Sequence, residues 1–275
     1  MSLNKKYGVI WHKPRSPFDD NIGDDIQTLA AIELLRKNNI FEYALIERES
    51  IHTYDGESIT LIMNGWWAHG YKRIFPLPEQ ITPVFISFHC ASREHVVVDS
   101  FDFFKKHAPI GCRDQATVDL LKKNGVDAYF TGCLTLAFDT YEGMYDAERK
   151  GEYVVDDTWL EHRVREHYKK YTSDWIHASH RGLLPEGSKS SDPIARLNMA
   201  KYMLQCYKLA DNIITSRLHC ALPAIAMGTP VIFNHYDQDK DSRFTGLQDI
   251  LQNDNMEQRR TAALKIKNFF SEFKL

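Results

Sequence analysis

Long apolar runs are missing from this sequence. No segment of the 275 residues approaches the roughly 18–20 consecutive apolar positions that a membrane-spanning helix needs. The opening MSLNKKYGVIWHK holds no apolar stretch of signal-peptide length, so export is not expected. Cysteine is scarce: Cys90, Cys112, Cys133, Cys206 and Cys220 are odd in number, scattered, and form no C-x-x-C. That pattern excludes a disulfide framework and fits reduced thiols in a cytoplasmic protein. An excess of one charge is lacking as well. The net charge of -3 removes the global basic field that nucleic-acid binding would favour, although local basic clusters remain.

Several signatures are absent too. Neither G-x-G-x-x-G nor G-x-x-x-x-G-K-[ST] occurs, so nucleotide cofactors gain no motif support, and there is no G-x-S-x-G. The stretch DQDKDSRFTGLQ (237–248) begins like a calcium loop. It has Ser242 where the turn needs glycine and Gln248 where the bidentate glutamate belongs, so it reads as a solvated loop. HRVREH (162–167) matches neither zinc-helix spacing and reads as an exposed charged face.

The chain does have 43% hydrophobic and 12% aromatic residues, enough for two cores of ordinary size. Strand candidates YGVIWH (7–12), YALIE (43–47), TLIMNG (60–65), PVFISF (83–88), APIGCR (108–113) and DAYFTG (127–132) alternate with helical patterns. One helix is expected over 23–39, with Ile26, Leu29, Ala30, Ile32 and Leu34 on one broad face. Another is expected over 114–125, with an acidic start, a basic end and a glycine stop. The polar, acidic segment 139–152 reads as a linker. A second alternating set follows: EYVVDD, a helix over 158–171, DWIHAS, a loop over 182–193 and a helix over 193–210. The set ends with a strand over 212–215, a helix over 217–228, a strand over 230–233 and a last helix from about 256. The expectation is an α/β chain with parallel sheets, as two Rossmann-like domains over 1–140 and 150–275 facing across a cleft. The final helix would pack back on the first domain.

Polar residues interrupt the apolar context at strand ends. These are Asn64 and Gly65 before Trp66 and Trp67, His89 in FISFHC, Arg113 and Asp114 in IGCRDQAT, and Ser216, Arg217 and His219 in ITSRLHCALPA. In parallel α/β folds such positions gather at the carboxyl edge, where ligands bind. Asp114 also suits a helix cap, as do Asp24 and Asp25 at the start of the first helix. Trp66 and Trp67 suit either core packing or sugar stacking. Arg217 is harder to explain by packing. A guanidinium at a helix N-terminus opposes the helix dipole, and a bound anion would relieve that using the guanidinium and the free backbone N–H groups together.

With NIGDDIQTLA, NGWW, PVFISFHC, IGCRDQATVDLLKKNGVDAYFTGCLTL, ITSRLHCALPAIAMGTPVIF and DSRFTGLQDIL in this order, the chain resembles the polysaccharide pyruvyl transferase family. The resemblance implies a glycosyltransferase-B-type fold. It also implies transfer of pyruvate from phosphoenolpyruvate onto two hydroxyls of a sugar as a cyclic ketal, with release of phosphate. The acceptor would be a cell-surface polysaccharide or its lipid-linked precursor, met at the cytoplasmic face of a membrane. On that reading Arg113 and Arg217 clamp phosphoenolpyruvate, His89 binds it or assists, and His219 is the acid. Asp24 or Asp25 activates or positions the sugar, Ser216 and Asn64 bind substrate, and Arg243 is a further anion contact. No metal and no cofactor are implied. Region 139–200, poor in family-like signals, would carry acceptor specificity. Two other readings stay open: a nucleotide-sugar-dependent glycosyltransferase of the same fold, and a non-catalytic carbohydrate-binding relative.

Overall fold

The computed structural model describes residues 5–14, 21–67, 74–91, 97–138, 144–156, 175–181, 191–235 and 240–275. The helix expected over 158–171, with HRVREH inside it, lies outside the described residues. So do most of the loop at 182–193 and the first residues of the segments beginning at 139 and 237.

Every strand pairing is parallel. In the N-terminal half, β1 (Tyr7–Trp11) lies between β2 (Ala44–Glu47) and β3 (Ile59–Ile62), and β5 (Ile81–Val84) follows β3. The strands expected over 60–65 and 83–88 are each broken in two. β3 resumes as β4 (Gly65–Trp66), and β5 as β6 (Phe88–His89). The cause is local: Gly65 (φ +95°) and Ser87 (φ +55°) take left-handed conformations that an extended ladder cannot contain. Hydrogen bonds bridge the break, Met63 N–H to the Val84 carbonyl (2.9 Å) and Gly65 N–H to the Ser87 carbonyl (3.1 Å). β7 (Ile110–Cys112) and β8 (Ala128–Phe130) complete the sheet, so its effective order is β2-β1-β3/β4-β5/β6-β7-β8.

The C-terminal half repeats the same winding. Its order is β10-β9-β11-β12, with β9 at Glu152–Val155, β10 at Ile176–Ala178, β11 at Asn212–Thr215 and β12 at Val231–Phe233. In both halves the second strand lies outside the first and the third lies on its other side. Each sheet therefore has a point where the strand order reverses: between β1 and β3 in one, between β9 and β11 in the other. Outside the carboxyl ends of such a pair no crossover covers the sheet, and a crevice remains. The chain is thus α/β, with two Rossmann-like halves facing across a cleft.

The helices are α1 (Ile22–Lys37), α2 (Phe101–Lys106), α3 (Gln115–Lys123), α4 (Pro193–Leu209), α5 (Leu218–Ala226), α6 (Gln248–Leu251) and α7 (Met256–Glu272). The residues expected on one broad face of α1 are all buried, and burial extends nearly all round the helix from Ile22 to Leu35. It packs on β1 on one side, and on α4, α5 and the 3-10 turn at Leu134–Ala137 on others. Its cap is Asn21, whose side chain accepts the Gly23 N–H (3.2 Å), and neither Asp24 nor Asp25 fills that role. Asp114 does cap α3, accepting the Thr117 N–H at 3.0 Å.

One apolar core runs through both halves, joining Val9, Ile62 and Ile86 to Val155, Ile213 and Val231 by way of α1, α4, α5 and α7. A second core is private to the N-terminal half. There Trp67 is fully buried among Phe75, Phe88 and their neighbours, which settles Trp67 as packing. α7 packs on α5 and the 134–137 turn, and its trailing backbone at Phe273 and Leu275 hydrogen-bonds the Asn38 side chain at the end of α1. Among the described residues no helix is long and apolar enough to cross a membrane.

The α1–α4 seam holds a buried ion pair. Asp25 is 0% exposed and Arg196 1%, and the guanidinium meets the carboxylate through Nε (3.2 Å) and Nη2 (2.5 Å). Removing one partner of such a pair strands a buried charge, whereas replacing both by apolar groups does not. Arg196→Met is expected to lower unfolding free energy by about 3–5 kcal/mol. The double change Asp25→Leu with Arg196→Met should recover most of that loss, read by urea denaturation.

Candidate active site

The two order-reversal points open into one cavity of about 360 Å³. From the N-terminal half it is lined by His12 beyond β1, by Asn21, Gly23, Asp24 and Gln27 on the first turns of α1, by Trp66 at β4, and by Arg48 and Arg113. From the C-terminal half it is lined by His180, Arg196, Ser216, Arg217, His219 and Arg243, among others.

Of the residues singled out in the sequence, Asp24, Arg113, Ser216, Arg217, His219 and Arg243 reach this lining, and Asp25, His89 and Asn64 do not. Asp25 is buried against Arg196. Asn64 donates its side-chain N–H to the Gln27 carbonyl (2.9 Å), tying the broken β3/β4 strand to α1. His89 stands one layer back. Its Nδ1 donates to Asp114 Oδ2 at 2.5 Å, while the Thr117 hydroxyl donates to Asp114 Oδ1 at 2.8 Å. Burial and the nearby Arg113 guanidinium push the His89 pKa down against the pull of Asp114. Burial pushes Asp114 up, but the His89 hydrogen bond, His89's charge and Arg113 outweigh it and hold the carboxyl low. The pair is therefore a neutral imidazole donating to a carboxylate.

Arg113, at the end of β7, is 1% exposed. Its Nε lies 3.6 Å from Asp114 Oδ2, beyond hydrogen-bond range, because the carboxylate is already engaged by His89 and Thr117. Arg113 Nε and Nη2 are buried with no hydrogen-bond partner among the described residues. A guanidinium desolvated in this way is costly unless an anion completes it.

Opposite stands the β11–α5 turn. Arg217 occupies the N-cap of α5, and its position against the dipole is eased by the protein itself: its Nε donates to Asp156 Oδ2 at 2.9 Å. Asp156 went unremarked in the sequence, where it reads only as the end of a strand. It sits just beyond β9 with φ +43°, accepts the His180 N–H at 2.7 Å, and takes the Ser216 hydroxyl on its own carbonyl. Burial pushes the Asp156 carboxyl up, yet the His180 N–H, the Ser179 hydroxyl and Arg217 outweigh that and hold it below its ordinary value. Arg243 is likewise forked onto Asp241, with Nε 2.9 Å from both oxygens.

His219 Nε2 is buried and has no hydrogen-bond partner. Burial first, then the charges of Arg113, His180 and Arg243, hold its pKa well below the ordinary histidine value. Among these groups His219 is therefore a neutral imidazole. His180 was not singled out at all. It is buried, its Nε2 faces the Tyr207 hydroxyl at 2.7 Å, and its backbone carbonyl accepts the Ile22 N–H that opens α1 (2.9 Å). Gly23 fits between the two histidines: a Cβ there would stand 3.1 Å from His180 Nδ1 and 3.3 Å from His219 Cβ.

Burial, reinforced by Arg217 and opposed by Asp156, pushes His180 down to about 3 from the ordinary 6.5. Between those values the unfolded chain binds a proton that the folded chain refuses. Stability is expected to hold above pH 6.5 and to fall steadily as the pH drops toward 4. His180→Gln should flatten that slope, measured as urea midpoints across the range.

A family model for polysaccharide pyruvyl transferases matches residues 21–237. No curated protein matches. Among solved structures, a functionally uncharacterised protein from Klebsiella pneumoniae subsp. pneumoniae NTUH-K2044 aligns over 88% of each chain with 16% identity and a TM-score of 0.52, a likeness of fold. The UDP-GlcNAc 2-epimerase of Methanocaldococcus jannaschii, solved with UDP-GlcNAc and UDP, covers 96% of this chain and 93% of its own at 10% identity and a TM-score of 0.44. At that level the similarity carries no argument about ligands. The family match takes in α1, the Arg113–Asp114 unit and the β11–α5 turn, its span holds most of the residues that line the cavity, and the chain belongs to the polysaccharide pyruvyl transferase family.

Proposed function

We propose that this protein transfers pyruvate from phosphoenolpyruvate to a sugar diol of a polysaccharide or its lipid-linked precursor, forming a cyclic ketal and releasing phosphate. The observation that carries the reading is Arg113: a buried guanidinium with two unpartnered nitrogens, lining a cavity it shares with Arg217 and His219. A dianionic phosphate and a carboxylate would supply the acceptors these groups lack. Arg113 from the first half and Arg217 from the second clamp the donor between them. His89 and Asp114 act behind the wall, keeping Arg113 aimed without saturating it.

The chemistry balances with groups already present. A first sugar hydroxyl attacks C2 of the enol phosphate as its proton is removed, and a proton is delivered to C3, turning methylene into methyl. The C2–O bond to phosphate then breaks, and the second hydroxyl closes the ketal. One hydroxyl proton ends on the methyl group and the other leaves with phosphate. His219 is the proton carrier in this scheme, neutral among its protein neighbours and charged once the anion arrives, because a nearby negative charge raises its pKa. Asp24, at the rim of α1, assists the hydroxyls, and Asp25 holds α1 against α4. The scheme uses no metal and no further cofactor.

Calorimetry with phosphoenolpyruvate at pH 7.5, in buffers of differing ionisation enthalpy, tests the donor half. The wild type is expected to bind and to take up close to one proton, and His219→Gln to bind without that uptake. Arg113→Ala should weaken binding by about 2–4 kcal/mol, the scale for removing one buried charged partner. Nucleotide-sugar binding with no response to phosphoenolpyruvate would overturn the reading.

A further inference from the structure

Gln27 lies one turn into α1, is 2% exposed and lines the cavity. Two contacts determine its pose: its backbone carbonyl accepts from Asn64 Nδ2 (2.9 Å), and its Nε2 donates to Asp24 Oδ1 (3.1 Å). Its Oε1 is buried with no hydrogen-bond partner among the described residues. A carboxylate oxygen can only accept, so the amine end of the amide must face Asp24 and the carbonyl end must face away. Gly65, at φ +95°, keeps the space beside that carbonyl clear: a Cβ there would stand 3.2 Å from Gln27 Oε1 and 3.7 Å from His12 Nε2.

A buried amide oxygen without a donor is destabilising, and it persists where a ligand supplies the donor. The ligand in question cannot be the anion that suits Arg113. Ionised phosphoenolpyruvate carries only acceptor oxygens, which match guanidinium and backbone N–H groups and repel a carbonyl. An orphan acceptor in the same cavity calls for an O–H. We propose that Gln27 is a specificity-determining residue that accepts a hydrogen bond from a hydroxyl of the sugar acceptor. Its Asp24-anchored amide thus reads the acceptor, while the arginines read the donor. This rests on the function proposed above and adds to it the place where the acceptor is recognised.

The test compares wild type, Gln27→Met and Gln27→Glu. Phosphoenolpyruvate binding is measured by calorimetry, and phosphate release is measured with a panel of methyl hexosides and their mono-deoxy analogues. Gln27→Met is expected to keep the phosphoenolpyruvate Kd within about twofold while lowering acceptor kcat/KM by about tenfold to a hundredfold. It should also lose the wild-type discrimination against one mono-deoxy glycoside. Gln27→Glu, which keeps an acceptor oxygen at that end, should retain more of the discrimination than the methionine. Unchanged acceptor kcat/KM in Gln27→Met would overturn the proposal. So would phosphoenolpyruvate binding to wild type with no glycoside in the panel releasing phosphate. Failure of wild type to bind phosphoenolpyruvate would instead overturn the function on which the proposal rests.

Discussion

The cavity depends on the first helix belonging to both halves of the molecule. α1 follows β1 of the N-terminal sheet, yet its first N–H is received by the His180 carbonyl of the C-terminal half, and its first turn carries Asp25 into the Arg196 guanidinium. Around those polar bonds lies a core continuous from Val9 to Val231. Two sheets of the same winding would otherwise meet at any angle that suits a surface loop. With α1 welded to α4 and to the β10–α4 connection, their order-reversal points face one another, and the groups beyond each carboxyl edge share one space. A buried ion pair adds little net stability compared with an apolar substitute, but it has one geometry, and that is its use here.

Charge in the cavity follows a consistent division. Arg217, Arg243 and Arg48 each hold a carboxylate of their own, Asp156, Asp241 and Glu49. These pairs stiffen the wall, and Arg48 also donates Nη1 to the Trp66 carbonyl at 2.8 Å. Arg113 differs because its neighbour Asp114 is already engaged by His89 and Thr117. The cost of that desolvated guanidinium is carried by the surrounding fold, and it makes Arg113 the group with most to gain from an anion. Burial first, and then the same positive field, keep His219 neutral. On the proposed reading, an anion bound there and a proton on the imidazole would each favour the other.

Much of this was legible in the chain. The alternation of strands and helices, the class of fold, the N-cap of α3, the bounds of β11 and the start of α7 follow from periodicity and end signals that act over a few residues. The strand-end positions of Arg113, Ser216, Arg217 and His219 follow from the same local grammar, because a residue just past a parallel strand must lie on the carboxyl edge. The motif order in the sequence pointed to the family that the match over 21–237 establishes.

What the sequence left open was decided by contacts between residues far apart along the chain. Asp24 and Asp25 are neighbours with equal chemistry. One faces the cavity and the other faces Arg196, 171 positions away, because a helix turns about 100° per residue. His89 reads as a ligand until it is found outside the cavity lining, paired with the equally buried Asp114. Arg217 reads as unpaired until Asp156 comes to it across 61 positions. His180 and Arg196 sit in stretches with no distinguishing pattern, Gln27 is one polar residue within a longer motif, and only the packing of α1 against the second half brings the three together at the site. Local sequence sets which groups stand at strand ends and helix starts. Which of them lack a partner is a property of the packed whole, since a partner is defined by distance in space and not by separation along the chain.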